Sequence, residues 1–142
     1  MQKSTTQLLR ELKSSGCSLP KYLDDNESAF VINDNARRFW QKLVLSSEHS
    51  KSNIINKADI SHCYFYEVIN GRKLPSKDKV IRLVLAMGLD LNTCQQALKI
   101  SGKSALYPKI RRDSIIIYAI QKKLSVSQCN ELLASYGEGD LK

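Results

Sequence analysis

Apolar residues in this 142-residue chain recur at a spacing near 3.6, strand-like alternation is missing, and Pro20, Pro75 and Pro108 fall with the glycines between the periodic segments. That period lines apolar side chains along one stripe of a helix, whereas a strand needs a period of two, so the chain is expected to be all-α. A first helix is predicted over Thr5–Lys13, with Ser4 as N-cap, Leu8, Leu9 and Leu12 on one face, and Gly16 as its end. A short acidic helix is expected after Pro20. The next start is Asn33 or Asp34, ahead of Ala36, Phe39, Trp40, Leu43 and Val44, whose spacing gives a broad apolar stripe and marks Trp40 as core.

From Ser50 to Pro75 every boundary has a chemical cause. Ser50 can cap a helix Lys51–Ala58 that turns Ile54, Ile55 and Ala58 inward; Asp59 and Ile60 make a tight turn; Ser61 caps a second helix, His62–Ile69. Asn70 and Gly71 close it, because both tolerate the left-handed conformation of a helix end. Phe65, Val68 and Ile69 take the inward positions of the second helix, which leaves His62, Cys63, Tyr66 and Glu67 outward.

The stretch SKSNIINKADISHCYFYEVINGRKLPS resembles the Xre and Cro family of phage-repressor-like helix-turn-helix proteins. The Ile60–Ser61 pair, Tyr64 and Phe65, the Asn70–Gly71 ending, the basic Arg72 and Lys73, and Pro75 and Ser76 before the next helix all stand where that family has them. With the LVLAMGLDL segment that follows, the resemblance covers about residues 35 to 102. It implies a helix-turn-helix bundle that binds double-stranded DNA, with the second helix entering the major groove and regulating transcription. By position, His62, Cys63, Tyr66 and Glu67 would read bases, and Ser50, Lys51, Ser61, Arg72 and Lys73 would meet phosphates. There are two departures. Asp59 replaces the usual turn glycine, a change that Asp tolerates because it can occupy the left-handed region. Ile69 replaces an acidic residue, which implies apolar packing, against Phe39 or Trp40, in place of an ion pair.

After Pro75 the sequence repeats at an offset of 35, read from Asp78 against Asp113 and Cys94 against Cys129. Val80, Ile81, Leu85, Leu89, Leu91, Leu98 and Gly102 recur as Ile115, Ile116, Ile120, Leu124, Val126, Leu133 and Gly137, so two helical hairpins stand in tandem. The expected organisation is an arm over residues 1–32, the helix-turn-helix domain over 33–102 and a hairpin extension over 103–142. The extension is similar to the carboxyl-terminal part of a group of repressor-like proteins from Gram-positive bacteria. Its first helix, apolar on nearly every side from Ile115 to Ile120, must be buried, either on the first copy or by pairing with another subunit. The symmetric dimers of the family favour a homodimer.

Charge agrees with a polyanionic partner. The chain carries 22 basic and 14 acidic residues, net +8, and the excess lies wholly after residue 30. Four cysteines, Cys17, Cys63, Cys94 and Cys129, form no CxxC pair, and His49 and His62 lack ligand spacing, so free thiols and no metal or other cofactor are expected. No phosphate-binding glycine loop or Ser, His and Asp arrangement is present, and His62 beside Cys63 points about 100° away from it on a helix, so the chain is not read as an enzyme. Without an apolar run of spanning length or a leader-like amino terminus, a cytoplasmic protein without a membrane partner is expected. The rival function is a protein-interaction module, an antitoxin or adaptor, in which Tyr64, Phe65, Tyr66 and the apolar extension bind a protein partner.

Overall fold

The computed structural model describes residues 4–13, Leu19 and residues 33–142, in which eight helices and no strand occur. The chain divides into two compact units, residues 1–32 and residues 33–142. In the first, α1 (Thr5–Lys13) begins with a reciprocal cap: Ser4 Oγ accepts from the Gln7 N–H at 3.2 Å and Gln7 Oε1 accepts from the Ser4 N–H at 2.8 Å. None of its residues is buried, Leu9 and Leu12 included. Gly16, Cys17 and the acidic helix expected after Pro20 lie outside the described residues.

The second unit opens with α2 (Asp34–Ser46), whose N-cap Asn33 accepts from the Ala36 N–H at 2.9 Å. Trp40 and Ala36 are fully buried, as the stripe predicts. Then come α3 (Lys51–Ala58), α4 (His62–Ile69), α5 (Lys77–Met87) and α6 (Leu91–Ile100). Packing pairs α3 with α5 and α2 with α4, and α6 lies against α5 and α2. The main core helix is α5: from Val80 to Met87 every side chain but Arg82 is buried, so α5 is the helix nearly enclosed by its neighbours.

Helices α7 (Arg111–Gln121) and α8 (Val126–Ser135) form the extension. Both pack on α5, α7 also meets α6, and one continuous core runs from Ala36 to Leu141. The apolar demand of α7 is met inside the chain, by Ile116, Ala119 and Ile120 buried on the first hairpin. The expectation that α7 is covered all round is corrected: Ile115 and Ile117 are half-buried and Tyr118 is exposed, because α5, α6 and α8 together cover only part of its circumference.

The repeat is also a repeat in space. Helices α6 and α8 keep the offset of 35 at both ends, and Gly102 and Gly137 close them at φ 70° and 74°. Each copy ends in a short tail whose leucine, Leu106 or Leu141, is buried and donates its N–H, at 2.8 Å, to a side-chain carbonyl, Gln95 Oε1 or Asn130 Oδ1. The next residue reaches across. Tyr107 of the first copy donates its N–H to Asp113 of the second at 3.0 Å, and Lys142 of the second donates its N–H to Asp78 of the first at 2.9 Å. The cations cross as well: Lys77 pairs with Asp113 at 3.5 Å, and its counterpart Arg112 forks onto both carboxylate oxygens of Asp78 at 3.2 Å. Residue i meeting j while the counterpart of i meets the counterpart of j is the signature of a two-fold relation, here within one chain.

Burial alone would raise the Asp78 pKa, but hydrogen bonds from Arg112 and the Lys142 N–H, with the charges of Arg112 and Arg82, outweigh it and hold the carboxyl below its usual range. A carboxyl depressed in the folded state stabilises the fold above its unfolded value of about 3.9, and that contribution is lost as pH falls through the lower folded value. Asp78→Asn is therefore expected to cost about 2–3 kcal/mol at pH 7 by removing charge-assisted hydrogen bonds. Its denaturation midpoint should also fall less steeply than that of the parent chain below about pH 4. Equal acid sensitivity of the two chains in urea titrations would show that Asp78 does not carry this linkage.

Candidate nucleic-acid interface

The helix pair α3 and α4 is built from its caps inward. Ser50 Oγ accepts from the Asn53 N–H at 3.2 Å and Ser61 Oγ from the Tyr64 N–H at 3.1 Å. Both hydroxyls thus satisfy first-turn donors of their own helices. Between the helices Asp59 sits at φ 55°, ψ 55°, and its N–H and that of Ile60 return to the last carbonyls of α3. A left-handed residue here reverses the chain in the shortest length, and Asp adopts that conformation at lower cost than a branched residue would. At the far end only Gly71 is left-handed, at φ 74°, while Asn70 stays at φ −90°. The buried Gly71 passes its carbonyl to the Asn33 N–H at 2.9 Å, so the exit of α4 is tied to the start of α2.

Phe65, Val68 and Ile69 are buried, each contributing on the order of 1.5–3 kcal/mol by removal from water. Ile69 is buried and lines a depression with Val44 and Leu45 of α2, where a charged residue would have required a partner. The opposite face holds His62, Cys63, Tyr66 and Glu67, all exposed, and α4 therefore presents a polar, aromatic and thiol-bearing strip fixed by an apolar back. Ser50, Lys51, Ser61, Arg72 and Lys73 are exposed around it. The N–H groups of both Arg72 and Lys73 donate to the Glu67 carbonyl, at 2.9 and 3.2 Å, which fixes the backbone from which their side chains leave.

Three lysines stand over aromatic rings here. Lys51 Nζ is 5.8 Å from the Tyr66 ring centre, and Lys73 and Lys79 lie 5.3 and 5.8 Å from that of Tyr64. Such contacts hold ammonium groups near the strip without neutralising them. Burial raises the Tyr64 phenol above its usual range and the Glu67 charge adds to this, against hydrogen bonds from Ser76, so Tyr64 is a neutral platform at physiological pH. Lys79 and Arg82 were not among the residues singled out from the sequence. Lys79 was hidden because its partner ring lies on another helix. Arg82 occupies a position that the repeat fills with Ile117; its guanidinium donates to the Ala58 carbonyl at 3.0 Å and to the Leu141 and Lys142 carbonyls at 2.7 and 3.2 Å. The last carbonyl of α3 is thus joined to the tail of the second copy.

Of the described cysteines, only Cys63 is exposed. Burial pushes the Cys94 thiol up to about 12 and that of Cys129 up to about 11. Cys17 lies outside the described residues. No helix among those described is long and apolar enough to cross a membrane. Comparison with protein-family models, with curated proteins and with solved structures finds no match.

Two measurements check this site. A thiol-exchange reagent followed by peptide mapping should modify Cys63 in the folded chain, with Cys94 and Cys129 reacting only after denaturation, since the thiolate is the nucleophile. Asp59→Gly should leave the unfolding free energy within about 0.5 kcal/mol of the parent, whereas Asp59→Val should cost about 1–2 kcal/mol, the penalty of a left-handed residue. A harmless valine would mean that the turn does not require that conformation.

Proposed function

We propose that the chain is a sequence-specific regulator that binds double-stranded DNA by laying the amino-terminal end of α4 in the major groove. The observation that supports this reading best is the pairing of two capped short helices across the Asp59 turn, with the outward strip of α4 free while its inner face is locked into the core. In such a reading α3 lies across the backbone and α4 reaches base edges. His62 can donate or accept, Glu67 can accept from cytosine N4, and Cys63 and Tyr66 flank them. Lys51, Arg72 and Lys73, with the hydroxyls of Ser50 and Ser61, would meet phosphate oxygens and set the register without specifying sequence. Lys79, held over Tyr64, joins this set. The net charge of +8 favours encounter with a polyanion at long range.

A second reading, binding of a protein partner, draws support from Leu45, an apolar side chain 84% exposed on α2. It lines a depression with Val44, Lys51, Tyr66 and Ile69 at the edge of the same strip. Salt separates the two, because each phosphate contact costs about 0.9 log unit of affinity per tenfold salt, while an apolar protein interface responds little.

Selection of bound duplexes from a random library at about 50 and 200 mM salt should enrich a motif. Arg72→Ala should then weaken all sequences alike and reduce the salt slope by about 1, whereas His62→Ala and Glu67→Ala should change the preferred bases. A selection that enriches nothing, with weak salt-insensitive binding, would overturn the DNA reading in favour of the protein partner.

A further inference from the structure

A cavity of about 440 Å³ lies away from the residues assigned to base reading and is lined by His49, Lys57, Leu85, Gly88, the Lys123–Ser125 connection and the first turn of α8. Its lining contains two lysines and a histidine and no carboxylate. His49 Nδ1 stands 3.4 Å from Lys57 Nζ, so two basic groups converge and the imidazole must offer its lone pair to the ammonium. Asp90, which feels the charge of Lys123, does not line the cavity.

The floor of the cavity is the amino terminus of α8. Ser125 and Gln128 satisfy each other in a capping box, which leaves the N–H groups of Val126 and Ser127 without an intrahelical acceptor at the positive end of the helix. The internal repeat supplies an independent comparison. At the equivalent connection the first copy has Gly88 and the N-cap Asp90; the second has Lys123 and Ser125. The same turn has gone from negative to positive. It has done so at a backbone position that disfavours lysine: Lys123 is held at φ 57° where its counterpart is a glycine at φ 64°. Its ammonium is fixed at 2.8 Å on the Gly88 carbonyl, on the cavity wall, with donor capacity to spare.

We propose that this cavity binds a phosphate-bearing ligand through Lys57, Lys123, His49 and the first-turn N–H groups of α8. A phosphate group matches these donors in charge and in number of acceptor oxygens, and the helix terminus is a ready-made place for it. The site spans α3 and the extension, so an occupant ties the second hairpin to the helix that precedes the candidate reading helix. It does not depend on the DNA reading.

The test is isothermal titration of the full chain with inorganic pyrophosphate, ionic strength being held constant with sodium chloride. Saturable one-site binding is expected, weakened at least tenfold by Lys57→Gln and by Lys123→Gly, and unchanged by Lys109→Gln, an exposed lysine outside the cavity. Lys123→Gly installs the residue that the first copy carries, so it should fold. Absence of saturable binding, or an equal loss in Lys109→Gln, would overturn the proposal. A competing short duplex identifies the source of the phosphate: displacement of pyrophosphate by duplex assigns the site to a DNA backbone phosphate, and its retention assigns it to a small phosphorylated molecule. Both results sustain phosphate recognition, and neither depends on whether α4 reads bases.

Discussion

The crossed attachment of Asp78 and Asp113 is the constraint on which the second unit depends. Each carboxylate receives a cation and a tail N–H, and in each case the tail belongs to the other copy. Taking a carboxylate out of water is costly unless its oxygens are fully engaged, and here the same two groups that offset the cost also hold the tails against α5 and α7. Leu106 and Leu141 are buried as a result, which extends the core beyond the helices. Arg82 carries the arrangement one step further, from the second tail to the end of α3.

Much of this was legible in the sequence because the signals were local. Serine or asparagine before an apolar run fixed the starts of α2, α3 and α4, and the i, i+3, i+4 spacing picked Trp40, Ile54, Ile55, Phe65, Val68 and Ile69 as core. The offset of 35 was also plain, since eight apolar or small positions agree. What could not be read was anything that joins distant parts of the chain. Asp78 and Asp113 served only as markers of the repeat, although they are its cross-links, because an ion pair between residues 34 apart leaves no periodic trace. Arg82 was not singled out, because nothing local shows that its guanidinium reaches carbonyls 24 and 59 residues away. The cover of α7 was overstated for the same reason: composition shows how apolar a helix is, not how many of its sides meet a neighbour.

The candidate interface was read residue by residue from a resemblance, and the geometry adds a physical reason for each placement. His62, Cys63, Tyr66 and Glu67 are exposed because the other side of α4, with Phe65, Val68 and Ile69, is the buried one. Two lysines approaching the Tyr64 ring show how a basic rim can be held in place by an aromatic group rather than by acids, which keeps its charge available. The rim lysines and the two lysines of the cavity beside α8 thus stand on surfaces of different shape.

The two-fold relation inside one chain has a consequence for how the molecule can change. In a symmetric homodimer every substitution occurs twice, and stability falls with dilution because the halves must find each other. With both halves on one chain the partner is always present at high effective concentration, and a change in one copy leaves the other untouched. Gly88 and Lys123, Asp90 and Ser125, Arg82 and Ile117 are pairs in which this freedom has been used. A covalent pseudo-dimer can therefore keep one half as the scaffold of the helix pair and let the other diverge in charge and surface, a division of labour that identical subunits cannot make.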